Sequence, residues 1–456
     1  MTNDWKTTTL SEVLVPVSRP EVIDPTKEYP LLGIRLDGGG PFHRETKLGS
    51  GIAARTLFKV RTGDFIYSRL FAWRGAFGII RSDLNGCYVS GEFPTFKANP
   101  DKLDVKFLQF WFRLPMTISK VQAVCTGSTP LTRNRFKEEF FLPMEVSLPS
   151  LSEQRRIVAR IEQLAAQVHE ARALRCETLG AGEAMWSSTL AVAFMPPIDS
   201  GPNSPETATA LLQRQSERYA SDPKNVYNNA HPWTPQIYTA GPYELPSHWV
   251  WTDLGSILVA LVDCVNDTPE FADAPTGLYG LKSTNVRPYK LDLSKRWFMT
   301  SEDFTRWNRR EPPRSGDLVL TREAPMGYVC ILPDQLEVSL TQRLMLLRTD
   351  NEFVGNRYIL HFLNSPHFRG QVLDRCRGLT TPHIRVKDVP SFLVPLPPRE
   401  EQHQVVDRLD TLQAKCAALT QLHGETAVEL DALLPSILDK AFRGELLAID
   451  GHTTCS

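Results

Sequence analysis

Basic, amide and hydroxyl side chains recur beside predicted strand ends and in the turns that follow them. Arg can bond guanine bidentately, Asn can bond adenine, and Ser and Thr hydroxyls suit phosphates or bases. Taken singly, each such residue is more often an ordinary surface residue, but sets in matched positions indicate nucleic-acid contact. The candidates are Ser68, Arg69, Arg74, Thr129, Arg133, Arg135, Lys282, Asn285, Thr321, Arg322, Thr381, His383 and Arg385.

Signatures of catalysis are sparse by comparison. The sequence contains no P-loop, no Gly-rich cofactor fingerprint and no [DNS]-P-P-[YF] run of the kind that holds a target amine. Glu45-Thr46-Lys47, with Asp24 or Asp37 upstream, resembles the D…E-x-K set of some metal-dependent nucleases. Such tripeptides are common by chance and the second half has no equivalent. We therefore predict no catalytic residue and no metal site in this chain.

The charge of the chain is unevenly distributed. The 456 residues carry a net charge of -1, which by itself argues against a nucleic-acid binder. Residues 1–148, however, hold 20 Lys and Arg against 15 Asp and Glu, while residues 246–397 hold 18 against 17. The acidic excess therefore lies outside these two blocks, which are the ones that carry the candidate contact residues.

The composition indicates a folded protein of the cytoplasm. Hydrophobic residues make up 42% and charged residues 23% of the chain. No apolar run approaches the ~18 residues of a membrane helix, and the first residues do not resemble a secretory signal. The eight cysteines are scattered without a C-x-x-C pair. Reduced cytosolic thiols are therefore expected.

The two halves of the chain repeat each other, which indicates a duplicated module. Each half begins with a segment that starts at a Trp, and then has a Gly-Asp pair that leads into a strand ending in Ser-Arg or Thr-Arg. Each half then has a turn glycine followed by Thr-Pro, and an apolar strand that contains or ends at a Pro. The corresponding segments are 5–14 and 249–258, 63–69 and 316–322, 127–130 and 378–382, and 140–143 and 392–395.

Each half then enters a long predicted helix, near Glu153-Gln154 or Glu401-Gln402. Apolar residues follow a 4-3-4-3 spacing at a constant offset of 248, which is typical of a helix–helix seam. We expect the two helices to pair as an antiparallel coiled coil, with breaks or kinks at Gly180–Gly182 and Pro435. The predicted seam residues are Ile157, Ile161, Leu164, Val168, Val405, Leu409, Leu412 and Leu419.

These patterns predict an α+β fold with two duplicated globular domains, joined by two long helices and related by pseudo-twofold symmetry. The predicted Pro-rich linker is an extended surface segment with one short helical candidate at 205–219. The predicted boundaries are 1–148 for the first domain, 149–195 for the first helix, 196–245 for the linker, 246–397 for the second domain, 398–447 for the second helix and 448–456 for a tail.

The motifs at the helix boundaries resemble those of the specificity (S) subunit of type I restriction-modification systems. They are Leu-Pro-Ser-Leu-Ser-Glu-Gln-x-x-Ile-Val at 148–158 and Leu-Pro-Pro-x-x-Glu-Gln-x-x-Val-Val at 396–406. Further matches lie at 245–255 and 433–446, so the resemblance covers nearly the whole chain. One departure is that Ala193-Phe194 lacks the Gly-x-Leu that follows Ala441-Phe442.

The resemblance implies two target recognition domains, each reading one half of a bipartite, gapped DNA target. It implies that the helices set the gap and dock two methyltransferase (M) subunits, and that motor-nuclease (R) subunits join them. S-adenosylmethionine, ATP and magnesium would then belong to the partners, and this chain would be non-catalytic, with no membrane partner. Two alternatives remain open: a scaffold without sequence preference, and a metal-dependent nuclease.

Overall fold

The computed structural model describes residues 5–125, 135–199, 201, 204–220, 235–264, 267–378 and 382–446. The chain divides into two compact units. Unit 1 comprises Met1–Cys176 and Leu422–Ser456, and unit 2 comprises Glu177–Gln421. Each unit therefore contains a segment of both long helices.

Unit 1 combines three antiparallel or mixed sheets with short helices. Its sheets have the strand orders β2-β10-β7-β8, β3-β6-β9-β4-β5 and β1-β11. The strands are β1 (Lys6–Thr9), β2 (Leu14–Val17), β3 (Pro20–Val22), β4 (Glu28–Arg35), β5 (Gly40–Leu48), β6 (Thr56–Lys59), β7 (Phe65–Tyr67), β8 (Phe77–Ile79), β9 (Tyr88–Val89), β10 (Thr95–Ala98) and β11 (Glu145–Leu148). The helices are α1 (Val105–Trp111), α2 (Pro115–Val124), α3 (Glu138–Phe141) and the beginning of α4 (Leu151–Ala193).

Unit 2 contains the end of α4 and the start of the second long helix. Its sheets have the orders β14-β21-β18-β19, β12-β13-β22, β15-β20 and β16-β17. The elements are α5 (Ala208–Ala220), β12 (Ile237–Tyr238), β13 (Val250–Asp253), β14 (Leu258–Asp263), β15 (Tyr279–Leu281), β16 (Val286–Arg287), β17 (Lys290–Leu291), α6 (Ser301–Trp307), β18 (Leu318–Thr321), β19 (Val329–Ile331), β20 (Val338–Leu340), β21 (Leu344–Thr349), α7 (Asn356–Leu363), α8 (Pro366–Asp374), β22 (Leu393–Leu396) and α9 (Arg399–Phe442).

The two units share one scaffold. In both four-stranded sheets, the strand that comes first in the sequence pairs with the last, the last pairs with the second, and the second pairs with the third. The β1-β11 pair of unit 1 corresponds to the β13-β22 pair of unit 2. The segments between β2 and β7, and between β14 and β18, differ. In unit 1 this segment supplies four strands of the five-stranded sheet, which β9 completes, whereas in unit 2 it supplies β15, the β16-β17 pair and α6. The duplication and the α+β class predicted from sequence are therefore confirmed.

A long helix completes the core of each unit. In unit 1 the ring centroids of Phe442, at the end of α9, and Phe107, on α1, lie 4.7 Å apart. In unit 2 Phe194, just after α4, lies 5.4 Å from Tyr358 and 5.3 Å from Phe362 on α7. The Ala-Phe pairs that recur at an offset of 248 thus have the same role, which is packing of an aromatic ring against the equivalent short helix.

Within unit 1 the two long helices run antiparallel. Ile157 and Ile161 share a buried cluster with Leu438 and Ala441. Further along α4, Nη2 of Arg172 lies 2.6 Å from Oδ1 of Asp431. Residue numbers thus rise on α4 as they fall on α9.

The predicted seam residues are buried to different extents. Ile157, Ile161, Val168 and Leu409 are buried, whereas Leu419 is 40% exposed. Leu164 packs against the unit 1 core, Val405 packs against the unit 2 core, and Leu412 is half-buried.

Both long helices are continuous through the predicted break points. α4 passes through Gly180–Gly182 and α9 contains Pro435 without a change of helical state. Ser150 caps the start of α4, because its Oγ accepts the N–H of Glu153 at 3.3 Å. The expected breaks are therefore absent from these described helices.

Part of the segment between the halves is helical. The helical candidate at 205–219 forms α5, and its Ala208, Leu211 and Leu212 are buried. Tyr219 donates a hydrogen bond to Oδ2 of Asp350 at 2.5 Å. The apolar face of α5 thus packs onto unit 2, because an amphipathic helix buries that face where a core is available. None of the described helices is long and apolar enough to cross a membrane.

Candidate nucleic-acid interface

The repeated Gly-Asp pair builds the turn before the central strand of each unit. Asp64 accepts the N–H of the residue three positions earlier at 2.8 Å and two hydrogen bonds from Arg19, at 2.6 and 3.1 Å. Asp317 accepts the corresponding N–H at 2.7 Å and two bonds of 2.6 Å from Arg348. Both carboxylates are buried. This motif therefore positions β7 and β18 and does not itself face a ligand.

Arg69 follows β7 and is held by protein groups. Its Nε donates to Oε2 of Glu138 at 2.9 Å, and its two terminal nitrogens donate to the other Glu138 oxygen and to the carbonyl of Gly91. Hydrogen bonding to Glu138 raises the pKa of Arg69. Burial acts to raise the pKa of Glu138, but the hydrogen bonds from Arg69, a backbone hydrogen bond and the positive charge of Arg69 together outweigh it, and the pKa is lowered. Both groups therefore stay charged near neutral pH.

A cleft of about 310 Å³ lies beside this ion pair. Arg135 lines it and donates to Oε1 of Glu92 at 2.7 Å, so the structure brings Arg69 and Arg135 together. Ser68, by contrast, is buried. The charges around the cleft alternate in sign, which suits polar recognition better than simple attraction to phosphates.

Arg74 lies in the exposed loop that follows Arg69. Its guanidinium sits 5.9 Å from the ring of Trp73, and Phe71 in the same loop is 47% exposed. This loop presents a cation and aromatic surface to solvent, a combination found at nucleic-acid contacts.

Arg322 occupies the position in unit 2 that Arg69 occupies in unit 1, and its backbone makes the equivalent hydrogen bonds. The N–H of Arg322 donates to the carbonyl of Arg343 at 2.8 Å, and the carbonyl of Arg322 accepts from Ile384 at 3.0 Å. Thr321 is buried, and its Oγ1 accepts the N–H of Tyr328 at 2.9 Å. Thr321 therefore fixes the hairpin.

These backbone hydrogen bonds identify a matched pair of loop residues that sequence analysis missed. In unit 1 the N–H of Arg69 donates to the carbonyl of Glu92 at 2.9 Å, as Arg322 does to Arg343. Glu92 and Arg343 are thus equivalent in position and opposite in charge. Each follows a short strand and a hydroxyl residue, in Val89-Ser90-Gly91-Glu92 and Leu340-Thr341-Gln342-Arg343. That shared pattern was the available signal.

Asn285 and Lys282 differ in accessibility. Asn285 is buried, and its amide donates to the carbonyls of Asp292 and Lys295, both at 2.8 Å. Nζ of Lys282 lies 3.2 Å from the ring centroid of Trp297. Asn285 thus stabilises the local turn, whereas Lys282 lines an open cleft.

The remaining candidates lie near the end of each domain. His383 exchanges two backbone hydrogen bonds with Arg377, at 2.9 and 3.1 Å. Arg385 is exposed, and its Nε donates to Asp388 at 2.9 Å. Thr129, Arg133 and Thr381 lie outside the described residues.

The alternative metal-site residues are engaged in other contacts. Glu45 pairs with Arg44 at 2.6 Å and with Lys47 at 3.3 Å. Asp24 accepts hydrogen bonds from the backbone and hydroxyl of Thr26. Within the described ranges there is no group of three or more His, Cys, Asp or Glu side chains that could hold a metal ion.

The two units thus have a common frame, each attached to a long helix. Residues 292–430, from the end of β17 into α9, match the family described as the type I restriction modification DNA specificity domain. This part of the chain is similar to a type I DNA specificity domain. The matched segment includes the strand β18, Arg322 and Arg343, and it ends within α9.

Curated relatives extend the similarity beyond this specificity domain. The chain is 22% identical over 356 residues to the type I restriction enzyme EcoBI specificity subunit of Escherichia coli, covering 77% of this chain and 68% of the relative. It is 23% identical to the EcoAI specificity subunit of the same species, with coverage of 92% and 80%. The resemblance to type I specificity subunits is thereby confirmed.

Solved structures show the same fold. A structure from work on complex assembly and conformational transition of the type I R-M system matches with a TM-score of 0.68 at 23% identity, covering 97% of this chain and 98% of that chain. The HsdS subunit from Thermoanaerobacter tengcongensis matches with a TM-score of 0.59 at 22% identity, covering 98% of both chains.

Proposed function

We propose that this chain is the DNA-specificity subunit of a type I restriction-modification complex. Each unit reads one half of a bipartite, gapped target in double-stranded DNA. The observation that carries this proposal is one scaffold present twice, with different side chains at the same loop position. The Arg69 and Arg322 backbones make the same hydrogen bonds in both units, yet the partner residue is Glu92 in one and Arg343 in the other.

This charge reversal supports two unlike half-sites. A glutamate can accept from the cytosine amino group, whereas an arginine can donate to O6 and N7 of guanine. Two copies of one scaffold with opposite charges at matched positions would select different bases. The proposed target is therefore asymmetric.

The long helices would set the distance between the half-sites and dock two methyltransferase subunits. Two readers on one face of a duplex require half-sites about one helical turn, ~34 Å, apart. A buried glutamine on each helix fixes it to the adjacent recognition domain. Leu174, Met185, Leu422 and Val428 are each at least half-exposed on the long helices. Such apolar surface supports docking of partner subunits.

In this proposal the chemistry belongs to the partners. The methyltransferase subunits would use S-adenosylmethionine, and the motor-nuclease subunits would use ATP and magnesium. This chain would supply target choice and geometry without a catalytic residue of its own. The complex would act in the cytoplasm, where its DNA target lies.

A methyl-transfer assay tests this proposal directly. The full chain and its cognate methyltransferase are incubated with labelled S-adenosylmethionine and a library of duplexes, with the methyltransferase alone as control. We expect methylation of duplexes that share a gapped, asymmetric motif, and only when the chain is present. Methylation without sequence preference would favour a scaffold, and magnesium-dependent cleavage by the chain alone would favour a nuclease.

A further inference from the structure

A cleft of about 310 Å³ opens on unit 2 between three segments that are distant in sequence. Thr268 lies on one wall, Lys282 and Thr284 lie on the second, and Gln342 and Arg343 lie on the third. Hydroxyl, amide and cationic groups therefore meet at one opening. Among the described residues that line it, none carries a carboxylate.

Lys282 is fixed in this cleft by aromatic rings. Its Nζ lies 3.2 Å from the ring centroid of Trp297 and 4.3 Å from that of Phe271. Stacking on two rings restrains a side chain that would otherwise be mobile in solvent. The ammonium is thus held at a defined position, and no acidic side chain of the described residues pairs with it.

The charge of Lys282 is uncompensated within the described part of the chain. No carboxylate there pairs with it, and burial lowers the pKa of its ammonium. An anion in the cleft would reverse this effect, because an opposite charge favours the ammonium form. Several arginines in unit 2 differ in this respect, since Arg306, Arg310 and Arg348 each pair with an acid.

The third wall adds a second cation in a constrained backbone. Arg343 has a φ of 75°, in the left-handed region that non-glycine residues seldom adopt. Its carbonyl accepts the N–H of Arg322 at 2.8 Å, and its Nε donates to Glu323 at 2.9 Å. The loop is therefore held against the cleft. The terminal nitrogens of Arg343 lie on a side chain that is 51% exposed.

We propose that this cleft binds one backbone phosphate of the DNA, with Lys282 as the principal cation. Hydroxyl groups of Thr268 and Thr284 would donate to the phosphate oxygens, and Gln342 and Arg343 would lie beside the adjoining base. A phosphate contact of this kind fixes the register of a reading loop without itself carrying sequence information. The inference rests on the proposed function and assigns a subsite within it.

The test compares the wild-type chain with Lys282→Met, assembled with the methyltransferase subunits. Met preserves the unbranched apolar contact with Trp297 and removes the charge. Two duplexes are compared, one with the target motif identified by the methyl-transfer assay and one with a scrambled sequence. The affinity for each is measured by fluorescence anisotropy at several KCl concentrations. We expect both affinities to fall by the same factor, roughly tenfold, and the slope of log K against log salt to shrink by about 0.9.

Two matched variants control for charge and folding. Lys290→Met removes an exposed charge on β17 outside the cleft and should leave the slope unchanged. Lys282→Arg should restore the slope. An unchanged slope in Lys282→Met, or an equal change in Lys290→Met, would overturn the phosphate assignment. A loss confined to the target duplex would also overturn it, because it would show a base contact.

Further outcomes distinguish failure of this inference from failure of the proposed function and from binding of a free phosphate ion. A wild-type chain with no preference for its target duplex would remove the proposed function itself. A wild-type chain that selects its target while Lys282→Met behaves identically would remove only the phosphate subsite. Inorganic phosphate, compared with chloride at equal ionic strength, should bind the DNA-free complex only weakly, because a single ion lacks the neighbouring DNA contacts. Micromolar binding of inorganic phosphate to the DNA-free complex, abolished in Lys282→Met, would assign the cleft to a free phosphate ligand instead.

Discussion

Nε2 of His361 lies 2.8 Å from Oδ1 of Asp410, and this contact joins α7 of unit 2 to the long helix α9. His361 is fully buried, and its ring also contacts Tyr289 and Trp186. Arg357 donates to the same carboxylate, with Nε 2.7 Å from Oδ2. Unit 2 is thus tied to its helix by a partly buried polar network in addition to apolar packing.

This network predicts that acid weakens unit 2. Burial lowers the pKa of His361 below its ordinary 6.5, even though hydrogen bonding to Asp410 opposes the shift. The unfolded chain therefore binds a proton more readily than the folded chain. The stabilising contribution is complete above pH 6.5 and is lost as the pH falls through the lower folded-state pKa. Urea unfolding at pH 7.5 and 5.5 should show a lower midpoint at the acidic pH.

The variant His361→Asn isolates this contribution. Asn can still donate to Asp410 but does not titrate, so its midpoint should depend less on pH than that of the wild type. Equal pH dependence in the two proteins would assign the acid sensitivity to other groups.

The glutamine of the Glu-Gln motif at the start of each long helix is expected to be important for stability, so removal of its side-chain amide should cost much of the free energy of unfolding. Oε1 of Gln154 accepts the N–H of Asp104 at 2.9 Å, and its Nε2 donates to the carbonyls of Lys102 and Pro149, both at 3.0 Å. Gln154→Ala leaves these buried groups without partners. The free energy of unfolding should fall by about 2–5 kcal/mol. Chemical denaturation measures the change, and Gln167→Ala on the exposed face of the same helix should be nearly neutral.

Gln402 provides an independent check on the motif. It accepts the N–H of Gly355 at 2.9 Å and donates to the carbonyls of Phe353 and Pro397, both at 3.2 Å. The bonding pattern repeats that of Gln154, so Gln402→Ala should destabilise to a similar degree. A neutral effect in either variant would contradict the structural role of the motif.

Arg69 and Glu138 should behave as one functional group. Arg69→Ala removes a guanidinium that links the loop after β7 to α3, and Glu138→Ala frees the same guanidinium. Both variants should weaken recognition of the half-site read by unit 1 and leave the other half-site unchanged, as base preferences of a methylation assay would show. Equal loss of affinity for target and scrambled DNA would instead make Arg69 a phosphate contact.

The duplicated scaffold could be predicted from sequence because it depends on local patterns. The apolar spacing, the Gly-Asp pair and the Glu-Gln helix start each recur at a nearly fixed offset, and each corresponds to a matched contact. Arg69 and Arg322, for example, have equivalent backbone partners. Their strands were identified without any knowledge of tertiary contacts.

The burial of individual polar residues could not be predicted in this way. Ser68, Asn285 and Thr321 have the chemistry of DNA contacts but lie within the protein, since tertiary packing decides which side chains reach solvent. Glu92 and Arg343 were missed because opposite charges conceal their equivalence. Pro435 and the glycines of α4 are accommodated within helices, because tertiary packing outweighs local propensity.

The helices predict that target spacing can be changed by insertion. Seven residues added after Gln167 and after Lys415, which are 248 apart, would preserve the apolar phase and lengthen each helix by about 10 Å. The tolerated gap in the DNA target should increase by roughly three base pairs. The same insertion within residues 221–234 should leave it unchanged. An unaltered gap in the double-insertion protein would contradict the role of the helices as a spacer.

The central claim is that this chain chooses the DNA sequence. Its most direct test is a genome-wide methylation map of cells that express the cognate methyltransferase, with and without the chain. We predict a gapped, asymmetric methylated motif that appears only when the chain is present, with one half-site altered by changes in unit 1 and the other by changes in unit 2. An unchanged map, with the methyltransferase shown to be active, would contradict the account.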